Sequence, residues 1–224
     1  MHKFICYLLF LVVALPILTL SQCQELTLYR QKLTVSIDTS EGTKSSSGVQ
    51  KAHLTHTKWG PAGTVGATSG IIGESFAIEV TNGKYIFPLL STIPLAPNVI
   101  YPKTPLVESV HLLSEIEDSA AIELTRDQYP TFVMFRHPES LEGAVIVTAD
   151  TIKDVFGPDV RIRSITLAAT NERMTFRDYT KVLPYVPDSD HEYWHAKRPF
   201  KRVDFRRSVP PPWMPDFLRD FISL

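Results

Sequence analysis

Apolar and polar residues alternate near the start of the chain, in the stretch ELTLYRQKLTVSID from Glu25 to Asp38. A period of two is typical of a strand that buries one face. The alternating apolar residues are Leu26, Leu28, Leu33, Val35 and Ile37. Ser, Thr and Gly dominate residues 39–48, and apolar residues return in VQKAHLTHTKW from Val49. The pattern predicts a β-hairpin whose two strands are joined by a long, turn-rich connection.

A glycine-rich stretch and a second hairpin follow. Glycines recur from Gly60 to Gly73 and leave the backbone too free for a regular element, so this stretch is predicted to be a loop. Phe76, Ile78 and Val80 then alternate before Asn82-Gly83, and apolar residues return after it. Asn-Gly between two apolar runs is a strong signal for a tight hairpin turn, because both central residues need positive φ.

Prolines and a change of period mark the middle of the chain. Five prolines between Pro88 and Pro105 exclude a central strand or an uninterrupted helix there. The next apolar residues have helical spacing and predict a short helix. They are Leu106, Val110, Leu113 and Ile116.

The last third of the chain repeats the strand signal. PTFVMFRHP, from Pro130 to Pro138, predicts a buried strand, and residues 143–170 predict strand, helix and strand. Thr148 or Asp150 is expected to cap that helix, and Gly157-Pro158 to end it. The order of elements predicts an α+β fold: a mostly antiparallel β-sheet with hairpins and short covering helices, in a single domain over residues 24–187.

Residues 188–224 form a basic, proline-rich tail. Six cations lie close together before the prolines 210–212: Lys197, Arg198, Lys201, Arg202, Arg206 and Arg207. They fit a solvated arm, and contact with anionic lipid headgroups or an acidic partner is the alternative. The final PDFLRDFISL has apolar residues on one side of a helix, so a short terminal helix is expected over residues 215–224.

Residues 1–23 have the pattern of a secretory signal. Lys3 gives a positive start, Phe4 to Leu20 is almost wholly apolar, and polar residues follow. An uncleaved membrane anchor is the alternative, although a spanning helix needs about 20 apolar residues and Pro16 interrupts this run. The sequence therefore predicts export.

Cys23 is the candidate for lipidation. Leu20, Ser21 and Gln22 precede it, as in the box at which bacterial lipoproteins are cleaved and acylated, although Gln22 replaces the usual small residue. Ordinary cleavage after Ser21 is the alternative. The other cysteine, Cys6, lies in the apolar run, so the mature chain has no disulfide pair within itself. A lipid at Cys23 would also explain a single cysteine in an oxidising compartment.

Charge and composition restrict the partners. The chain has 23 Lys and Arg residues against 24 Asp and Glu residues, so it lacks the overall positive charge that would predict a nucleic-acid partner. Hydrophobic residues make up 44% of the chain, which favours a folded domain over a disordered one.

HEYWH, from His191 to His195, matches the H-E-x-x-H pattern of zinc hydrolases. On a helix, His191 and His195 would bind the metal and Glu192 would act as the base. Pro187 and Pro199 leave room for only a short helix, and no His or Glu follows His195 as a third ligand. The preferred interpretation therefore has no catalytic residue, no metal and no other cofactor, and the zinc site stays as the alternative.

Three stretches carry a family resemblance: KLTVSIDTSEGTKSSSGV, GESFAIEVTNGKYIFPLL, and the segment from Tyr129 through KVLPYV. They resemble small exported proteins of alphaproteobacteria that are often called lipoproteins. The resemblance implies a place on the periplasmic side of the bacterial cell envelope, and it implies no catalytic residue. The first hypothesis is thus a non-enzymatic envelope lipoprotein that contacts the membrane through its lipid and acts through protein or surface interactions, with an unknown envelope protein as partner. A zinc-dependent hydrolase is the second, and a small-ligand or peptide binder is the third.

Overall fold

The computed structural model describes residues 24–57, 66–138, 142–176, 178, 181–183 and 222–223. In chain order the strands there are β1 Gln24–Thr39, β2 Gly42–Thr57, β3 Gly66–Glu74, β4 Ile78–Thr81, β5 Lys84–Pro88, β6 Ile122–Glu123, β7 Phe132–His137, β8 Glu142–Val147, β9 Arg161–Ala169 and β10 Ile222–Ser223. The α-helices are α1 Ala96–Ile100, α2 Leu106–Ser114 and α3 Ile152–Phe156. Single 3-10 turns cover Leu90–Thr92 and Arg126–Gln128.

The strands form two sheets, and every pair of neighbouring strands in the described residues is antiparallel. The first sheet has the order β10-β3-β2-β1-β9-β6, and the second has the order β4-β5-β7-β8. One apolar cluster takes residues from both sheets and from α2, so the sheets share a core. The predicted antiparallel, hairpin-rich architecture is confirmed. The covering helices are short, as predicted, and they are few.

The first hairpin is longer than the sequence indicates. β1 and β2 pair without interruption from Gln24–Thr57 to Thr39–Gly42, so the turn consists of Ser40 and Glu41 alone. The long connection predicted over residues 39–48 is therefore wrong. Ser45 and Ser47 lie on the outer face of β2, which meets water, where hydroxyls are as acceptable in a strand as in a turn.

Side chains at odd positions of β1 point into the shared core. Leu33, Val35 and Ile37 are fully buried there, and Gly48 lies opposite Leu33 on β2. The ring of Phe76 lies directly over Gly48. A Cβ on Gly48 would come within 2.2 Å of Phe76 Cδ1. Glycine at this position thus makes room for one of the largest buried side chains.

The glycine-rich stretch contains β3, so the predicted loop is wrong from Gly66 onward. Its backbone pairs with the edge of β2 from Lys51–Ile72 to Thr57–Gly66. Ile71 is buried against the core, and the imidazole of His53 lies over Gly70. Contacts with β2 therefore determine the conformation that glycine alone leaves free.

The second sheet confirms two predictions. Asn82-Gly83 forms the turn between β4 and β5, with Gly83 at φ +71°. β7 is the predicted buried strand: Phe132 and Met134 join the main core, while Val133 and Phe135 join a second cluster that includes Leu183. Because both faces of β7 are covered, its apolar residues form a continuous run.

The helices follow the sequence pattern, with one correction. α2 is the predicted helix and buries Val110 and Leu113. α3 ends at Gly157, which has φ +110°, but the residue before its first turn is Thr151 and not Thr148 or Asp150. The Thr148 hydroxyl instead accepts a hydrogen bond from Thr151 N, at 3.3 Å, and Asp150 pairs with Arg126.

The predicted terminal helix is wrong where it can be compared. Ile222 and Ser223 form β10, which pairs with Glu74 and Gly73 of β3. Residues 215–221 and 224 of that prediction lie outside the described residues. The edge of β3 offers backbone partners to Ile222 and Ser223, and such pairing overrides a short helical pattern.

Candidate functional site

The predicted site residues lie outside the described residues. This applies to Cys23 and to His191, Glu192 and His195, so lipidation and zinc binding stay predictions. Gln24, however, is the first residue of β1. The residue proposed to carry a lipid is thus directly followed by the long hairpin, and the nearest described surface is the end of that hairpin.

We call this surface the open end, comprising Leu26–Arg30 of β1 and Lys51–His56 of β2. The turn end comprises Lys32–Thr39 and Gly42–Val49. Leu26 and Leu28 have 59% and 39% of their surface exposed at the open end. They occupy even positions, and β1 pairs with β2 without a register shift, so they lie on the face opposite to Leu33.

The sequence contains the signal for this exposed pair. The apolar positions change from even (Leu26, Leu28) to odd (Leu33, Val35, Ile37) within one strand. A strand without a bulge must then present the two groups on opposite faces. Alternation alone predicts one buried face for all five residues, whereas the structure exposes Leu26 and Leu28.

A strap, Thr170–Thr175, crosses the outer face of the hairpin between the two ends. Thr170 N donates to Arg30 O at 3.1 Å on the β9 side of β1. At the other edge, Thr175 N donates to Val49 O at 3.0 Å, and Val49 N donates to the Thr175 hydroxyl at 2.9 Å. Val49 points outward and is nevertheless buried, because the strap covers it.

Cationic side chains lie beside the strap. Arg30 Nη1 donates to the carbonyl oxygens of Asn171 and Glu172, at 2.8 and 3.2 Å. The Glu172 carboxylate pairs with Lys32 at 2.5 Å. Lys51 lies opposite Arg30 in the β1–β2 register and has no ion-pair partner within the described part of the chain. The rim of the open end is thus positively charged.

The start of the strap is held by a carboxylate. Asp118 accepts a hydrogen bond from the Thr170 hydroxyl at 2.7 Å and another from Asn171 N at 3.1 Å. These two bonds, first that from Thr170, lower the pKa of Asp118 below its ordinary value. Asp118 is therefore ionised at neutral pH and fixes the strap beside Arg30.

A cleft of about 250 Å³ opens between β1, the end of α2 and the strap. Leu28, Leu113 and Ile116 form its apolar wall, while Arg30 and Lys51 add positive charge. Tyr29 also lines it and is 6% exposed; its hydroxyl has no hydrogen-bond partner in the described residues. Burial raises the pKa of Tyr29, so the phenol is neutral at physiological pH.

The histidines of the open end do not form a metal centre. His53 packs over Gly70 on the outer face, and His56, three residues further along β2, lies on the inner face. Within the residues that the structure describes, no three His, Cys, Asp or Glu side chains lie close enough together to bind a metal ion. The open end therefore offers apolar contacts and positive charge.

Comparison of the chain with protein-family models, curated proteins and solved structures finds no match. None of the helices in the described residues has the length and apolar character needed to cross a bilayer.

Proposed function

We propose that this protein is a non-enzymatic lipoprotein of the bacterial cell envelope, tethered through Cys23 and acting through contacts with an envelope protein. The observation that carries the proposal is the position of Cys23. It follows an export signal that ends in Leu20-Ser21-Gln22, and it precedes the first strand by one residue. The resemblance to small exported alphaproteobacterial proteins supports the same location.

The position of the strand gives the tether a structural consequence. Because β1 begins at Gln24, no linker separates a lipid on Cys23 from the sheet. A diacylated and N-acylated cysteine would hold the protein stably, since a single acyl chain gives only reversible binding. We further assign the chain to the α+β class, with a single domain over residues 24–187.

Labelling with palmitate tests the tether. The full chain is expressed in a bacterial host, and three proteins are compared: wild type, Cys23→Ser and Cys6→Ser. We expect label in the wild type and in Cys6→Ser, because residue 6 leaves with the signal, and none in Cys23→Ser. Equal absence of label from the wild type and Cys23→Ser would contradict the proposal.

A zinc-dependent hydrolase is the second candidate, because His191, Glu192 and His195 have the spacing of zinc ligands and base. The test is to count zinc per protein in the untagged full chain before and after mild chelation. His191→Ala is compared with His53→Ala, a histidine outside the pattern. One tightly held zinc that only His191→Ala loses would favour the hydrolase over the lipoprotein.

A further inference from the structure

The outer face of the open end combines exposed apolar side chains with positive charge. Leu26, Leu28 and Arg30 are two residues apart along β1, so their side chains share one face of the sheet. Lys51 lies beside Arg30 on that face, and Arg173 is exposed on the strap. Along β1 from Gln24, this surface begins with the apolar Leu26 and Leu28 and continues with the cationic Arg30.

Carboxylates offset only part of the positive charge of this surface, and Asp118, which holds the start of the strap, is one of them. Arg30 donates to carbonyl oxygens, and the carboxylate of Glu172 is taken by Lys32. Lys51 and Arg173 form no ion pair with any other described residue. An anionic surface would therefore meet cations that are not paired with any described carboxylate.

The distance from Cys23 indicates what covers this surface. A strand rises about 3.3 Å per residue, so Leu26 is about 7 Å, Leu28 about 13 Å and Arg30 about 20 Å along β1 from Gln24, the residue that follows Cys23 in the sequence. A lipid on Cys23 would hold all three residues within reach of the headgroup layer. Leucines that enter the interface beside cations that remain among the headgroups are typical of membrane-binding surfaces.

We propose that Leu26, Leu28, Arg30 and Lys51 form a docking face for a bilayer containing anionic phospholipids, on which β1 lies along the membrane. This inference rests on the proposed tether at Cys23. The tether determines that the protein stays at the membrane, and the docking face determines its orientation there. Ser45 and Ser47 belong to the same face of the hairpin, but they lie beyond the strap and remain in water.

Fluorescent labels at two matched positions test the docking face. The acylated full-chain protein is reconstituted into vesicles of phosphatidylcholine with a quarter phosphatidylglycerol. A single cysteine is introduced as Leu28→Cys or, as the control, Ser47→Cys on the same outer face. In the acylated protein these are the only free thiols, because the signal containing Cys6 is gone and the sulfur of Cys23 is blocked.

Quenching by spin-labelled lipid is the measurement. We expect strong quenching and a blue shift for the label at residue 28, and neither for the label at residue 47. In the Lys51→Gln background, the ratio of docked to undocked protein should fall about fivefold, the effect of one cation near an anionic surface. Vesicles of phosphatidylcholine alone, or high salt, should reduce quenching at residue 28 in the same direction.

The results for the face and for the tether can be separated. Mass spectrometry of the purified protein reports acylation of Cys23, which tests the proposed function alone. If Cys23 is acylated and the two labels are equally exposed to water, the docking face is overturned and the tether stands. If Cys23 is not acylated, the same two positions are labelled in the Cys23→Ser background, and the labelled proteins are mixed with the same vesicles. Absence of quenching at residue 28 then overturns the docking face.

Discussion

The two ends of the first hairpin share one continuous register, but their outer faces differ. At the turn end, that face has the hydroxyls of Thr34, Ser36, Ser45 and Ser47, and Asp38 pairs with Arg161 at 3.0 Å. At the open end it has two exposed leucines and Lys51, which is unpaired in the described residues. Strand pairing therefore does not explain the difference. The turn end has the outer face expected of a strand in water, whereas the open end has one suited to a partner.

Removing one leucine from each face should give the largest difference in the free energy of unfolding. Leu33→Ala empties a fully buried position and should lower the free energy of unfolding by about 2–5 kcal/mol. Leu28→Ala, on the outer face of the open end, removes a side chain that is 39% exposed and should lower it by no more than about 1 kcal/mol. Urea denaturation of the two variants measures both. Equal losses would show that Leu28 is buried in solution and would remove the proposed docking face.

Two glycines under aromatic rings give the next largest contrast. Gly48→Ala at the turn end brings a Cβ within 2.2 Å of the fully buried Phe76 ring, and should cost about 1–3 kcal/mol. Gly70→Ala brings a Cβ within 2.8 Å of the His53 imidazole, which is partly exposed and can swing away. The free energy of unfolding should fall by only about 0.5 kcal/mol in this variant.

A compensating change tests the cause. Adding Phe76→Leu to Gly48→Ala removes the ring that the new methyl group meets. The double variant should therefore be more stable than the sum of the two single losses predicts, as in a double-mutant cycle for residues in contact. Simple additivity would mean that the cost of Gly48→Ala arises elsewhere.

Two glutamines at the boundary between the ends should respond in opposite directions. Gln31 and Gln50 face each other in the register and are both fully buried. Gln31 accepts from Ala96 N at 2.9 Å and donates to Pro94 O at 3.2 Å. Gln31→Met should therefore lower the free energy of unfolding by about 1–3 kcal/mol.

Gln50 has no partner for either amide atom within the described residues. Gln50→Met, which keeps the shape of the side chain, should raise the free energy of unfolding by up to about 1–2 kcal/mol. Both midpoints are read from urea denaturation. Destabilisation by Gln50→Met would mean that a bound water satisfies that amide in solution.

The smallest effects are changes in pH dependence, and they differ in sign between the ends. Burial raises the pKa of Tyr29 at the open end, so the folded state keeps a proton that the unfolded state loses. Stability is then fully present below the ordinary pKa of tyrosine, about 10, and falls as the pH rises above it. Tyr29→Phe should remove this alkaline loss in thermal denaturation at a series of pH values.

At the turn end, hydrogen bonds from Thr43 and then Arg161 lower the pKa of Asp38. Its contribution is present above the ordinary pKa of aspartate and is lost as the pH falls through the lower folded value. Asp38→Asn should reduce the acid loss of stability and leave the alkaline loss unchanged. Tyr29→Phe should reduce the alkaline loss and leave the acid loss unchanged. A change in the acid loss for Tyr29→Phe, or in the alkaline loss for Asp38→Asn, would contradict these roles.

Local patterns were enough to predict several elements of this fold. Period-two alternation predicted β1 and β4, Asn82-Gly83 predicted the tight turn, and helical spacing predicted α2. Each of these signals is complete within a few consecutive residues, because side-chain direction and turn geometry are local properties. The change from even to odd apolar positions between Leu28 and Leu33 is also a local signal, and it predicts the exposed leucines of the open end.

Long-range contacts decided the remainder. The glycine-rich residues 66–74 form a strand because they pair with the edge of β2, and residues 222–223 are extended because they pair with β3. The strap acquires its position from Arg30 and Val49, which lie more than a hundred residues before it. A conformation that depends on a partner distant in the chain leaves no periodic signal of its own. The tertiary structure therefore decided which outer face is covered, and which remains open beside Cys23.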